Sequence, residues 1–171
     1  MTILATNGVN ILWTMNENKE FINILMQNKR IIYKVCFMYA DDNDDINDLY
    51  QEVVLSLWKA YQNFDGRSSV STWIYRIALN TCITGLRKKK NYDYVPLQQD
   101  IDILDDCERD ELLKQMYHLI HQLDNVDRMY IMLWLDEKNY DEIAEIVGVS
   151  RNNVAIRIHR IKEKLKRMSD Q

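Results

Sequence analysis

The sequence predicts an all-α protein made of two small helical domains joined by a flexible acidic linker, the C-terminal domain having a helix-turn-helix pattern. The 171 residues include only 4 Gly and 1 Pro, too few for a β-sandwich or barrel, which needs a turn roughly every 8 to 12 residues. Apolar residues recur at three- and four-residue steps, as amphipathic helices require. Hydrophobic residues make up 47% of the chain, which is enough for a core and excludes intrinsic disorder of the whole chain.

Composition also excludes several classes of function. No apolar run approaches the roughly 20 residues that cross a bilayer, and the first 13 residues lack the pattern of a signal peptide. We therefore expect no membrane insertion and a cytoplasmic location. Cys36, Cys82 and Cys107 form no CxxC pair, so we expect reduced thiols rather than disulfides or a metal site.

Charge is segregated along the chain. Residues 67–91 carry a net charge of +6 with no acidic residue, and residues 146–171 carry +5. The blocks before them are acidic, with −6 over residues 41–66 and −11 over residues 92–145. Two basic blocks in a protein of net charge −4 indicate two places where a polyanion docks, or else clustering on solvated helix faces.

The same pattern suggests a division into domains. The stretch around the single proline, Pro96, is acidic and has few apolar residues, as expected of a linker. We predict a loosely held N-terminal tail over residues 1–16, a helical domain over 17–90, a linker over 91–110 and a second helical domain over 111–171.

Two helices are predicted at the start of the first domain. The first lies between Glu17 and Ala40, with an apolar face formed by Phe21, Ile22, Leu25, Ile31, Ile32, Val35, Cys36 and Tyr39. The acidic run 41–45 can cap a second helix that ends at about Asn63. Its predicted inward stripe is Leu49, Tyr50, Val53, Val54, Leu57 and Trp58. The outer side is either a docking surface or a solvated polar face, and it carries Asp48, Gln51, Glu52, Ser56 and Lys59.

A polar turn with Gly66 precedes the third helix, predicted over Trp73–Arg87 with Ser71 or Thr72 as its cap. The residues expected to pack inward are Trp73, Ile74, Ile77, Ala78 and Thr81, and those expected to face outward near the loop are Tyr75, Arg76 and Asn80. Aromatic rings beside a cationic track suit single-stranded nucleic acid, whose bases stack while its phosphates are neutralised. The alternative is core aromatics beside an exposed charge run.

The second domain is predicted to begin with an amphipathic helix containing Leu112 and Leu123. Asp124 is placed to cap the next helix, from Val126 to about Leu135. His118 and His121 share a face, but no further metal ligand is tied to them by a motif, so we interpret them as ordinary histidines.

Residues Tyr140 to Arg167 form a helix-turn-helix pattern. Gly148 can take the left-handed conformation that ends a short first helix, and Ser150 can cap the second. The side of the second helix that packs on its domain carries Val154, Ile158, Ile161 and Leu165. Its other face offers Asn and Arg side chains that can read base edges, or it is the solvated basic face of a helical hairpin. That face carries Arg151, Asn152, Asn153, Ile156, Arg157, His159, Arg160, Glu163 and Arg167.

Three groups of motifs together resemble the extracytoplasmic-function sigma factors of bacterial RNA polymerase. The first group is Asp48-Leu49-Tyr50-Gln51-Glu52-Val53, and the second is Phe64 with the stretch from Ser71 to Asn80. The third comprises Tyr140-Asp141-Glu142-Ile143-Ala144, Gly148-Val149-Ser150 and the stretch from His159 to Leu165. The resemblance covers nearly all of the chain after its first twenty residues.

The resemblance implies a non-enzymatic initiation factor that binds core RNA polymerase and promoter DNA, and it implies an anti-sigma protein as a further partner. Region 2 would bind the clamp helices of the largest polymerase subunit through Asp48, Gln51 and Glu52. It would engage and melt the minus-10 element through Phe64, Ser68, Ser69, Trp73, Arg76 and Asn80, with Arg87 and Lys88 extending the positive track. Region 4 would read the minus-35 element through Arg151, Asn152, Asn153, Ile156, Arg157 and Arg160.

The chain departs from the family pattern in two places. Many members carry a Thr-Val-Lys-Ser-Arg type run where this chain has Asn153-Val154-Ala155-Ile156-Arg157, and Asp124 stands where a proline is common. No nucleophile with a base, glycine-rich phosphate loop or metal cluster is present as a motif, so no cofactor, metal or small-molecule substrate is expected. A helix-turn-helix regulator that binds DNA without polymerase is the alternative, and a helical adaptor without a DNA role is a third.

Overall fold

The computed structural model describes residues 4–40, 42–85 and 111–170, and the regular secondary structure within these ranges is entirely α-helical. The predicted all-α class is confirmed. The predicted linker lies outside the described residues. The helices, in chain order, are α1 (Leu4–Tyr39), α2 (Asn43–Tyr61), α3 (Val70–Gly85), α4 (Glu111–His121), α5 (Asn125–Leu135), α6 (Tyr140–Val147) and α7 (Arg151–Ser169).

Helices α1, α2 and α3 pack against one another to form the first domain. Their shared core is aliphatic and aromatic, and its fully buried members include Ile32, Val35, Val53, Leu57 and Ile74. Helix α1 begins at Leu4 rather than at Glu17, so the backbone of most of the predicted tail is helical. Ile22, predicted to face the core, is 54% exposed, because α1 buries only the side that packs against its neighbours.

Two cysteines face each other in this core. Cys36 on α1 and Cys82 on α3 are both buried and free. A hydrogen bond to the Cys82 side chain and burial both raise the pKa of the Cys36 thiol, so it stays protonated and unreactive at neutral pH.

The start of helix α2 is capped by the acidic run 41–45, as predicted. The Asp42 carboxylate accepts a hydrogen bond from the Asp45 N–H at 2.8 Å and caps the helix. The helix ends at Tyr61, slightly before the predicted Asn63. Trp58, predicted to face inward, is 39% exposed. Its ring still contacts that of Phe21 in an edge-type arrangement, with ring centroids 4.9 Å apart.

Helix α3 begins at Val70, three residues earlier than predicted, so neither Ser71 nor Thr72 is its cap. The cap is Ser69, whose hydroxyl accepts the Thr72 N–H at 3.1 Å. The predicted outward position of Tyr75 is also wrong, since its side chain is 1% exposed. It is covered by the second domain.

The second domain consists of α4 to α7, with the helix-turn-helix formed by α6 and α7. Its predicted boundary signals are confirmed, because Asp124 caps α5, Gly148 ends α6 at φ 79°, and Ser150 caps α7. Asn139 and Glu142 add a capping box at the start of α6. Val154, Ile158 and Ile161 are buried as predicted and fix α7 to its domain.

The two domains are in direct contact. Helix α3 packs on α6, and the C-terminal half of α1 approaches α5. Phe37 of α1 meets Tyr117 of α4 edge to face, with ring centroids 5.3 Å apart. The buried side chains of the two domains therefore form one continuous cluster.

Among the residues described, no helix is long and apolar enough to span a membrane.

Candidate polymerase and nucleic-acid interfaces

The outer face of α2 combines acidic and apolar groups. Asp48 and Glu52 are exposed and Gln51 is partly so, as predicted. The Glu52 carboxylate reaches toward the end of α3, where a Cβ atom added to Gly85 would lie 3.3 Å from its Oε2 atom. Leu55, which is outside the predicted inward stripe, is 57% exposed on the same helix.

An aromatic cluster lies where the loop between α2 and α3 meets α3. The ring centroids of Phe64 and Trp73 are 4.8 Å apart and their planes are inclined by 38°. Tyr61 stands behind them, with its ring centroid 6.5 Å from that of Trp73. Phe64 and Trp73 are only partly buried, so the cluster offers ring surface to a base as well as support for α3.

The loop itself is fixed by short-range contacts. Gly66 takes a left-handed conformation at φ 72°, and the Asp65 carboxylate accepts the Arg67 N–H at 3.2 Å. The Arg67 Nε atom also pairs with Asp65 at 2.6 Å, although 89% of the Arg67 side chain is exposed. Arg67 was not among the residues predicted from the sequence to contact DNA, although it begins the basic block 67–91, which contains no acidic residue.

The two serines of the loop differ in availability. Ser69 uses its hydroxyl to cap α3 and donates to Thr72 Oγ1 at 2.9 Å. Ser68 is half-buried and has no such capping role.

Arg76 and Asn80 are exposed on α3, but Arg76 is engaged by the other domain. Its Nη2 and Nε atoms donate to the Glu145 carbonyl oxygen at the end of α6, at 2.5 and 3.2 Å. Arg87 and Lys88, which were predicted to extend the cationic track, lie outside the described residues.

The outer face of α7 carries the groups predicted to read base edges. Asn152, Asn153 and Arg160 are exposed, and Ile156 is 44% exposed. Arg151 pairs with Asp141 at 3.4 Å while both side chains stay more than half exposed. An exposed ion pair of this kind is worth little, so Arg151 can be released to a phosphate.

Arg157 is held within the second domain instead. Its Nε atom donates to Asp127 Oδ1 at 2.6 Å, and the Asp127 side chain is 11% exposed. Its guanidinium also lies 6.0 Å from the Tyr130 ring centroid. This pairing ties α7 to α5, and the role of Arg157 in reading the minus-35 element stays a prediction. Asp127 lies 30 residues earlier, so no local motif indicated the pair.

A second cation fixes the same two helices. Lys162 places its Nζ atom 3.5 Å from the Trp134 ring centroid, a cation–π contact. Across residues 4–40, 42–85 and 111–170, no cluster of three or more His, Cys, Asp or Glu side chains that could hold a metal ion is found.

Two known family models match separate parts of the chain. The Sigma-70 region 2 model matches residues 24–92, and the Sigma-70 region 4 model matches residues 113–165. The first match contains the α2 face, the aromatic loop and α3. The second contains the helix-turn-helix.

The chain is also similar to individual sigma factors over most of its length. It is 28% identical to the ECF RNA polymerase sigma factor SigW of Bacillus subtilis over 167 residues, which cover 88% of this chain and 89% of SigW. It is 42% identical over 62 residues to the ECF RNA polymerase sigma factor SigG of Mycobacterium tuberculosis. That match covers 36% of this chain and only 17% of the length of SigG.

Solved structures share the fold. CnrH in complex with the cytosolic domain of CnrY aligns with a TM-score of 0.67 at 20% identity, covering 90% of this chain and 89% of that one. The sigma factor RpoE of Bartonella quintana, in complex with the anti-sigma factor NepR, aligns with a TM-score of 0.66 at 17% identity, covering 89% and 98%. The two family models, matched in region order, and the similarity to sigma factors such as SigW show that the chain belongs to the extracytoplasmic-function sigma factors of the sigma-70 family.

Proposed function

We propose that this chain binds core RNA polymerase and directs it to promoters, where its first domain engages and melts the minus-10 element and its second domain reads the minus-35 element. The observation that carries the proposal is the presence of regions 2 and 4, in order, on one chain. We assign the first domain to residues 17–90 and the second to residues 111–171.

The polymerase contact is assigned to Asp48, Gln51 and Glu52. Asp48 and Glu52 are four residues apart and therefore lie on one side of α2. Their charge suits a basic partner, and exposed Leu55 beside them adds apolar area that a helix of the polymerase clamp can cover.

Strand separation is assigned to the loop before α3 and to the first turns of that helix. A base that leaves the duplex loses its stacking partner, and Phe64 with Trp73 offers a replacement at the mouth of the loop. Arg67, Arg76 and the amide of Asn80 supply cationic and hydrogen-bonding groups for the displaced strand. Ser68 contributes a hydroxyl, while Ser69 supports the site by capping α3.

Duplex recognition is assigned to α7. Asn152, Asn153 and Arg160 can make paired hydrogen bonds to base edges in a major groove, and Ile156 can contact a thymine methyl. Arg151 is assigned to the phosphates.

The chemistry proposed is binding alone, without covalent catalysis, a cofactor or a metal. We assign the protein to the cytoplasm, where polymerase and chromosome are found. An anti-sigma protein is the proposed inhibitory partner, in keeping with the anti-sigma factor bound to the structural relative RpoE.

Transcription in vitro over a library of random upstream sequences tests the proposal. With core polymerase and this protein, transcripts should start downstream of two enriched motifs separated by a constant spacing. Enrichment with equal strength when core is omitted from a DNA-binding selection would instead support a stand-alone helix-turn-helix regulator.

Charge reversal tests the polymerase contact separately. Asp48→Lys combined with Glu52→Lys should weaken core binding by at least tenfold, because like charges then face the basic partner. Asp44→Lys, a single charge reversal at an exposed site near the start of the same helix, is the control. Equal core binding by the double variant and the control would contradict the assignment.

A further inference from the structure

We propose that Phe21 and Tyr61 are positioning residues for promoter melting, which hold the stacking pair of the minus-10 site in place. The proposal rests on the function assigned above and deepens it by naming what orients the stacking surface. Phe21 and Tyr61 act through ring contacts and not by touching DNA. We call the connected rings the aromatic array, which consists, in order of contact, of Trp58, Phe21, Tyr61, Trp73 and Phe64.

The aromatic array connects all three helices of the first domain. Phe21 on α1 is 4% exposed, and its ring centroid lies 4.9 Å from that of Trp58 and 5.2 Å from that of Tyr61, both on α2. The Tyr61 ring centroid lies 6.5 Å from that of Trp73 on α3. Aromatic rings attract one another at centroid separations of about 4.5–7 Å. The buried ring of Phe21 therefore supports Tyr61, and Tyr61 supports Trp73.

The backbone of Tyr61 also holds the other member of the stacking pair. Tyr61 is the last residue of α2, and its carbonyl oxygen accepts a hydrogen bond from the Phe64 N–H at 3.0 Å. The Phe64 ring in turn meets Trp73, with centroids 4.8 Å apart. Both rings of the pair are thus tied to one residue, so a displacement of Tyr61 moves both.

Burial separates the rings that can meet a base from those that hold them. Phe64 and Trp73 are partly exposed at the loop, whereas Phe21 is too deeply buried to reach a strand. A base gains most from stacking on rings that are already held in place, because less conformational freedom is lost on binding. The contribution of Phe21 and Tyr61 is therefore preorganisation of the pair.

Phe21 lies outside the family match. The Sigma-70 region 2 model begins at residue 24, after Phe21, and includes Tyr61 and both rings of the stacking pair. The role proposed for Phe21 follows from its contacts with the two rings of α2 in this chain.

The test measures promoter opening by core polymerase loaded with the full chain, on a promoter enriched from the library described above. Opening rates over a series of protein concentrations separate the Kd of the initial complex from the rate constant of opening. Tyr61→Leu and Phe21→Leu each remove a ring and keep apolar volume. Each should lower the rate constant about fivefold, the effect of losing an aromatic contact. The Kd of the initial complex and the Kd for core polymerase should keep their wild-type values.

Three further variants separate positioning from a general loss of stability. Tyr61→Phe returns the ring and should restore most of the opening rate. Ile32→Val removes one carbon from a fully buried site of the same core, about 16 Å from Phe21 along α1, and should open promoters at the wild-type rate. Because Tyr61 acts through the stacking pair, Tyr61→Leu should slow opening less when it is combined with Phe64→Ala.

Wild-type rate constants of opening in Tyr61→Leu and Phe21→Leu, with folding checked by circular dichroism, would overturn the inference. Equal slowing by Ile32→Val would also overturn it, since the effect would then follow stability alone. Tyr61 is only partly buried at the end of its helix, so its variant serves if Phe21→Leu fails to fold. Failure of the wild-type protein to open any promoter would refute the proposed function itself, whereas wild-type opening with unchanged variants refutes only the positioning role.

Discussion

Truncation of Arg157 should destabilise the protein more than it disturbs DNA recognition. The Arg157→Ala variant loses the 2.6 Å contact between its Nε atom and Asp127 Oδ1, and it leaves a carboxylate whose side chain is only 11% exposed. A hydrogen bond to a charged group contributes about 1.5–3 kcal/mol. Lys164 remains 3.8 Å from the other carboxylate oxygen, so we expect a loss near the lower end, about 1.5 kcal/mol.

Arg160→Ala is the matched control, because Arg160 is exposed on the same helix. Its unfolding free energy should stay within about 0.5 kcal/mol of wild type, whereas its affinity for minus-35 duplex should fall about tenfold, within the 1–3 kcal/mol range of a good base contact. Urea denaturation followed by circular dichroism measures the first quantity, and fluorescence anisotropy with labelled duplex measures the second.

A double-mutant cycle with Asp127→Asn completes the comparison. If the pair is the source of the stability, the two substitutions together should cost less than the sum of their separate effects. An Arg157→Ala protein as stable as wild type, with a duplex affinity reduced as strongly as in Arg160→Ala, would show that Arg157 serves DNA and would refute this reasoning.

Three further predictions concern the turns and the loop. Gly148→Ala should lower the free energy of unfolding by about 1 kcal/mol, measured by chemical denaturation. The φ of Gly148 is 79° and an added Cβ atom meets no atom within 4 Å, so the cost is backbone strain alone. Gly148→Asn should cost less, and an Ala variant as stable as wild type would contradict the argument. Asp124→Ala should cost about 1 kcal/mol at neutral pH through loss of the α5 cap. Hydrogen bonds, of which the one from the Asp127 N–H has the largest effect, lower the pKa of Asp124. The charged carboxylate therefore stabilises the fold above about pH 4, and this stabilisation is lost as pH falls through the lowered pKa. A stability difference between wild type and Asp124→Ala that does not change with pH would count against this role. Phe64→Ala should reduce promoter opening about tenfold, measured by permanganate reactivity of unpaired thymines, while minus-35 duplex binding stays constant.

Much of the fold could be predicted from the sequence, because helix caps and turns depend on residues that are close together in the chain. Asp124, Ser150 and Gly148 act within a few residues of themselves, by capping a helix or by accepting a positive φ, and each does what its position predicted. Helix existence likewise followed from the spacing of apolar residues.

Prediction failed where a residue's environment comes from a distant segment, and also where several neighbouring residues have the same capping chemistry. Tyr75 was expected to face the loop, yet its side chain is buried, and its hydroxyl donates a hydrogen bond to the carboxylate of Asp136, 61 residues later. Ser71 and Thr72 both had the chemistry of a cap, and Ser69 performs that role because the backbone of the turn brings its hydroxyl to the Thr72 N–H.

The candidate site divides in the same way. The sequence by itself determined which groups are offered to polymerase and DNA, because charge, amide and aromatic character belong to the side chains and helical periodicity assigns them to a face. Only the tertiary structure decided which of these groups are free. Arg157 is held by Asp127 and Arg76 by Glu145, since a hydrogen bond depends on two groups meeting within about 3 Å, and sequence spacing does not encode that meeting between separate helices.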